Sequence, residues 1–150
     1  MADHVETSPI AARQTGPLSH FHRFLGGFPT AFFALAAVTD FAYIRSANLM
    51  WSNFSAWLIL AGLLTGVFAV VAGAGDWLIG GARGRWGFGW HLGLTLLALV
   101  AGVVNLLVHF RDGWTAVMPE GMILSVVTVV LLFAGGIAAA LGDRRGETRA

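Results

Sequence analysis

The chain has 150 residues, of which 57% are hydrophobic and 11% charged, with a formal net charge of +1 at pH 7. A domain surrounded by water carries about 25% charged residues, so this composition excludes an ordinary soluble domain. The basic residues are dispersed rather than clustered, which gives no electrostatic footprint for nucleic acid, and the absence of cysteine excludes disulfides, thiolate nucleophiles and thiolate-held metal or iron–sulfur sites.

Residues 1–24 are polar, carry Pro9 and Pro17, and end in the interfacial stretch Phe21-His22-Arg23-Phe24. A secretory signal would place its apolar region nearer the start, so this segment is expected to be a mostly disordered cytoplasmic tail. The membrane domain is expected over residues 25–141. Its apolar stretches are Leu25–Ile44, Ser55–Ile79, Trp90–Phe110 and Gly121–Leu141, each 20 to 25 residues long. About 20 residues cross about 30 Å of hydrocarbon as a helix. Only helices can pair every backbone group within such a segment. Pro29 falls in the first turn of span one, where its missing N–H costs little.

The connections expected are Arg45–Phe54, the glycine- and arginine-rich Gly80–Gly89, and Asp112–Glu120, with a basic cytoplasmic tail over 142–150. Gly80–Gly89 follows a membrane helix rather than a strand, so it reads as a turn and not as a phosphate-binding loop. Trp51, Trp77, Trp86, Trp90 and Trp114 lie near span ends, as interfacial anchors do. Arg13, Arg23, Arg83, Arg85, Arg144, Arg145 and Arg149 flank one side, and only Arg45 and Arg111 the other. Arginine excess marks the cytoplasmic side, which predicts both termini in the cytoplasm.

Small and polar residues recur at steps of three and four along each span. Span one has His22, Gly26, Pro29, Phe33, Ala36 and Asp40, with Phe33 breaking the run of small residues. Span two has Gly62, Gly66, Ala69, Gly73, Asp76 and Gly80; span three has His91, Thr95, Ala98, Gly102, Asn105 and His109; span four has Gly121, Ser125, Thr128, Leu132, Gly135, Ala139 and Gly142. A 3.5-residue seam keeps one helix face on its neighbours. Small residues let helices approach in lipid, and polar ones turn inward. The expected fold is therefore all-α, an up-down-up-down transmembrane four-helix bundle.

Span direction sorts the polar groups into two layers. His22, Asp76 and His91 fall at the cytoplasmic level. Asp40, Asn105, His109, Ser125 and Thr128 fall toward the opposite face, with Arg111 just beyond. Arg45 and Arg111 are candidate partners for Asp40, and Arg83, Arg85 or His91 for Asp76.

The entry His22…Phe28-Pro29, Asp40, Gly73-x-x-Asp76, His91, Arg111 and the pair Gly135-Gly136 together resemble a bacterial family of predicted membrane proteins, domain of unknown function 2231. The resemblance runs from about Ser19 to Leu141. Family members often carry a histidine where this chain has Gly27, and a Leu-Val-Tyr type segment where it has Ile137–Leu141. The family has no settled activity, so the resemblance implies the fold rather than a function.

Three functions follow from the residues. A b-type haem needs two imidazoles at one depth on facing helices, and His22 with His91 meets that condition. A proton or small-solute pathway would use Asp40, Asp76, Asn105, His91 and His109, since ionisable groups within spans are functional by default. The reading preferred is a non-catalytic accessory or assembly component of a membrane complex, whose partners are the lipid bilayer and other membrane subunits or further copies of itself. His20 and His22 supply two imidazoles without a third ligand, which is too little for a metal site.

Overall fold

In the computed structural model the described residues are 17–79, 86–111 and 117–147, with side chains described at 24–79, 87–111, 117–142 and 144. The expected N-terminal tail up to residue 16, most of the Gly80–Gly89 and Asp112–Glu120 connections, the last three residues and the His22 side chain lie outside these.

The elements are α1 (Pro17–Ser46), α2 (Leu49–Ile79), α3 (Trp86–His109) and α4 (Glu120–Glu147). All four are long and apolar enough to cross a membrane. Three helices outrun their expected spans markedly: α1 begins inside the expected tail, α2 inside the expected first connection, and α4 reaches into the basic tail. Hydropathy marks the part of a helix that lies in hydrocarbon; nothing ends the helix at that boundary.

The first connection is much tighter than the Arg45–Phe54 loop expected, because local chemistry closes it in two residues. Ala47 adopts φ 52°, and its N–H donates to the Tyr43 carbonyl at 2.7 Å, ending α1. Asn48 then caps α2, its Oδ1 accepting the Met50 N–H at 3.0 Å. A left-handed alanine costs about 1 kcal/mol, which the cap offsets.

Side-chain contacts set the topology. Thr39 meets Ser55 at 2.7 Å, and an added Cβ on Gly62 would lie 2.9 Å from the Phe33 ring, so α1 and α2 run antiparallel. Gly66 faces Leu99 and Gly102 faces Leu63, which makes α3 antiparallel to α2. Asn105 with Ser125, and Gly87 with Gly142, do the same for α3 and α4. The fourth helix packs back on the first and closes the bundle, up-down-up-down as the spans require. The hairpins α1–α2 and α3–α4 are each packed more extensively than the faces between them.

The four stripes form the buried faces. Phe33, Ile59, Leu63, Ala98, Leu99 and Leu132 make the central core. Phe33, the one bulky residue on the α1 stripe, fits because Gly62 of α2 and Gly102 of α3 leave a notch for it. A Cβ on Gly102 would stand 2.7 Å from the ring tip. At one end of the bundle Gly87 and Gly142 touch backbone to backbone, a Cβ on Gly142 falling 2.5 Å from Gly87 Cα. Outward faces carry Trp57, Phe68, Val100 and Ile137, all exposed on the isolated chain. Such a surface suits lipid, as the composition required.

Trp77 and Trp90 are exposed near helix ends, where anchors belong. Trp51, expected among the anchors, is half-buried and packs on Tyr43 and Val117 beneath the first connection.

Candidate functional site

A polar layer fills the bundle interior at the end that carries the α1–α2 turn. Stripe periodicity delivers its members. On α1 the buried positions Phe33, Ala36, Asp40 and Tyr43 step by three and four, so the face that carries the core also carries Asp40. The same stepping along α3 puts Asn105 and His109 inside, and along α4 Ser125 and Thr128. Asp40, Asn105, Ser125 and Thr128 have no exposure at all, and His109 only 7%.

Asp40 joins the two hairpins. Its Oδ1 lies 2.9 Å from His109 Nε2 on α3, and its Oδ2 accepts the Ser125 hydroxyl of α4 at 2.5 Å. Ser125 Oγ in turn accepts the Asn105 side-chain amide at 2.8 Å. His109 Nδ1 lies 3.0 Å from the Asn105 backbone carbonyl. A carbonyl oxygen can only accept, so Nδ1 carries a hydrogen. One further proton is then shared between Nε2 and Oδ1. Whichever atom holds it, the Asp40–His109 unit has zero net charge, which suits a low-dielectric interior where an isolated charge would be costly.

Beside this network Thr39 and Ser55 share a hydrogen bond between α1 and α2, and Ser55 also reaches the Ala36 carbonyl at 3.4 Å. Thr128 donates to the Leu124 carbonyl of its own helix at 2.8 Å. One acceptor stands out. Asn105 Oδ1 is buried with no hydrogen-bond partner.

The order of the chain decides what chemistry is available. Serine, histidine and aspartate meet, an arrangement the sequence did not reveal, but the serine bonds the carboxylate and not the imidazole. Nucleophilic catalysis needs the histidine on the hydroxyl, with the carboxylate behind it. Both ring nitrogens of His109 are engaged within the bundle, so its imidazole has no free lone pair for iron, and each oxygen of the enclosed Asp40 carboxylate is held by one hydrogen bond.

Of the residues expected in this layer, the structure joins Asp40 to His109 directly and to Asn105 through Ser125. Arg111 stays apart. It lies past the end of α3 and is exposed, as is Arg45, so neither arginine is the partner of Asp40. His109, reaching inward from the last turn of α3, takes that place. Tyr43 and Ser52 are also buried at this end of the bundle. Tyr43 was legible as the next step on the α1 stripe, whereas Ser52 fell in a segment read as loop.

At the opposite end Asp76 is 9% exposed on α2. His91 is half-buried on α3 against Gly135 of α4, its ring centroid 6.5 Å from that of Phe88. The pairs Leu63–Gly102 and Gly66–Leu99 continue to a register that sets Asp76 level with Gly89, close to His91 in depth. The His22 side chain is outside the described residues. The Phe33–Leu63–Leu99 core separates this end from the Asp40 layer. His91 to Asn105 is roughly 21 Å along α3.

A family model described as predicted membrane protein (DUF2231) matches residues 20–144, which is nearly the whole bundle. The chain belongs to this family. No curated protein and no solved structure matches it. The DUF2231 assignment agrees with the four apolar helices and, carrying no activity of its own, leaves function to the residues.

Proposed function

We propose that this DUF2231 chain is a non-catalytic accessory component of a membrane assembly, in which the Asp40 layer fixes the two hairpins and the outer surface receives other helices. The observation that carries this reading is the seam between α1 and α4. Gly27, Ala31 and Ala34 of α1 and Gly136 and Ala140 of α4 line an apolar groove there, together with the larger Leu132, Phe133 and Ile137. An added Cβ on Gly27 or Gly136 would meet nothing within 4 Å. Gly62, Gly66 and Gly102, by contrast, are filled by the chain's own Phe33 and Leu99. Small residues at a lipid-facing seam permit close approach by another helix.

Purification in mild detergent tests this. The wild type is expected to retain one or more membrane proteins in fixed ratio, and Gly136→Leu, which fills the groove without disturbing the core, to lose them. A wild type that runs alone, or partners retained by both Gly136→Leu and Gly27→Leu, would remove the reading. The visible spectrum of the same material serves haem. A Soret band lost in His91→Ala would replace the accessory role with electron transfer.

The arginine asymmetry further supports an inner-membrane orientation with both termini and residues 80–89 in the cytoplasm. That orientation turns the Asp40 layer toward the outer face. A reporter that fluoresces only in the cytoplasm should be bright at the C-terminus and dark when inserted at Ala47. The reverse pattern would invert the topology.

A further inference from the structure

We propose that the Asp40–Ser125–Asn105 chain is a proton-binding site, in which Asp40 takes up a second proton beside His109 and the hydrogen bonds running to Asn105 reverse direction. The unpartnered Asn105 Oδ1 points to it. In the arrangement seen, the Ser125 hydroxyl donates to Asp40 Oδ2, Ser125 Oγ accepts from Asn105 Nδ2, and Oδ1 is left over. A proton arriving on Oδ2 turns that oxygen into a donor toward Ser125 Oγ. The serine hydrogen then swings away from Asp40, and a half-turn of the Asn105 amide presents Oδ1 to receive it. No bond to carbon changes and no backbone moves. The amide nitrogen then takes the place of Oδ1 as the atom without a partner, so each state leaves one side-chain atom over.

Gain and loss of a proton are not equivalent in this geometry. On gain, His109 keeps both contacts, Nε2–H to Asp40 Oδ1 and Nδ1–H to the Asn105 carbonyl, and the unit goes from zero to one positive charge. On loss, one ring nitrogen would turn a lone pair toward an oxygen, either the Asp40 carboxylate at 2.9 Å or the Asn105 carbonyl at 3.0 Å. The site therefore gains a proton more readily than it gives up the one it holds.

The surroundings do not compete. From α3 the titratable group facing Asp40 is His109. From α4 and α2 the groups at this depth are Ser125, Ser52 and Ser55, none of them ionisable. Tyr43 lies buried one turn further along α1. Arg45, Arg111 and Glu120 stand at the same end of the bundle but are exposed. The side chains of Asp40 and His109 are fully enclosed, with Ser52 of α2, 9% exposed, nearer the surface at this end.

Infrared difference spectra of the full chain in lipid nanodiscs, taken from neutral to acid pH, test the site. A carboxylic-acid C=O band should grow as a carboxylate band falls, accompanied by a shift of an amide C=O band as Asn105 turns. The acid band should vanish in Asp40→Asn and persist in Asp76→Asn. Two further variants read the chain. Ser125→Ala takes the donor from the carboxylate, a charge-assisted bond, so uptake should move to higher pH by roughly tenfold in proton affinity, about one pH unit. Asn105→Leu takes one hydrogen bond from Ser125 in either form, so it should move uptake much less while removing the shift of the amide C=O band. A purely structural network would lose stability in both variants with no shift in either. No acid band in the folded wild type, a band surviving in Asp40→Asn, or uptake moving to lower pH in Ser125→Ala would overturn the proposal.

Discussion

Asp40→Ala is expected to lower the stability of the folded bundle by about 3 kcal/mol, measured by reversible unfolding in mixed micelles of increasing denaturing-detergent content. A hydrogen bond between membrane helices averages only about 0.6 kcal/mol by double-mutant cycles, so the size of the effect needs another source. That source is what the substitution leaves behind. His109 Nε2 and the Ser125 hydroxyl, both turned on Asp40 in the wild type, remain buried without it. A stranded donor or acceptor costs about 1–3 kcal/mol, and more when charged. The combined variant Asp40→Leu, His109→Leu, Ser125→Ala strands little and should recover most of the loss. If Asp40→Ala alone costs less than about 0.5 kcal/mol, the layer does not hold the hairpins together.

Phe33→Ala should be comparably damaging, again by about 3 kcal/mol in the same unfolding experiment. In water, replacing a buried phenylalanine by alanine costs about 3–5 kcal/mol, part of it transfer from solvent and part the cavity left behind. Between membrane helices the alternative surroundings are also apolar, which puts the expectation at the lower end of that range. The cavity contribution is nearly full here. Phe33 has no exposure and lies across Gly62 and Gly102, and glycine has no side chain with which to close a gap. Refilling from the other side gives the check. Phe33→Ala combined with Gly102→Ala should be more stable than the sum of the two single effects, because the new methyl occupies part of the vacated notch. Simple additivity would mean that Phe33 and Gly102 do not form the knob and socket described.

The seam that marks Gly62, Gly66, Gly73 and Asp76 on α2 could be read along the chain, since a 3.5-residue period shows in one helix considered alone. So could the gathering of Asp40, Asn105, Ser125 and His109 at one depth, because alternating span direction and a fixed rise per residue settle height. Partner choice could not. Arg45 and Arg111 looked like the counterions of Asp40 because they stand near it in height and carry full charge. A guanidinium at the membrane boundary stays hydrated, whereas His109 is already inside when its helix ends.

By itself, then, the sequence determined the solvent. With 57% hydrophobic and 11% charged residues, four apolar segments have to be helices in lipid, and their polar stripes have to face one another. The tertiary structure alone decided which atoms meet. It chose His109 and Ser125 as the two partners of Asp40, left Asn105 Oδ1 over, and seated Phe33 between two glycines. Those outcomes depend on the rotation of each helix and on contacts between residues as distant as Asp40 and Ser125. Periodicity fixes only the face a residue lies on; the partner it touches is set by how four faces close together.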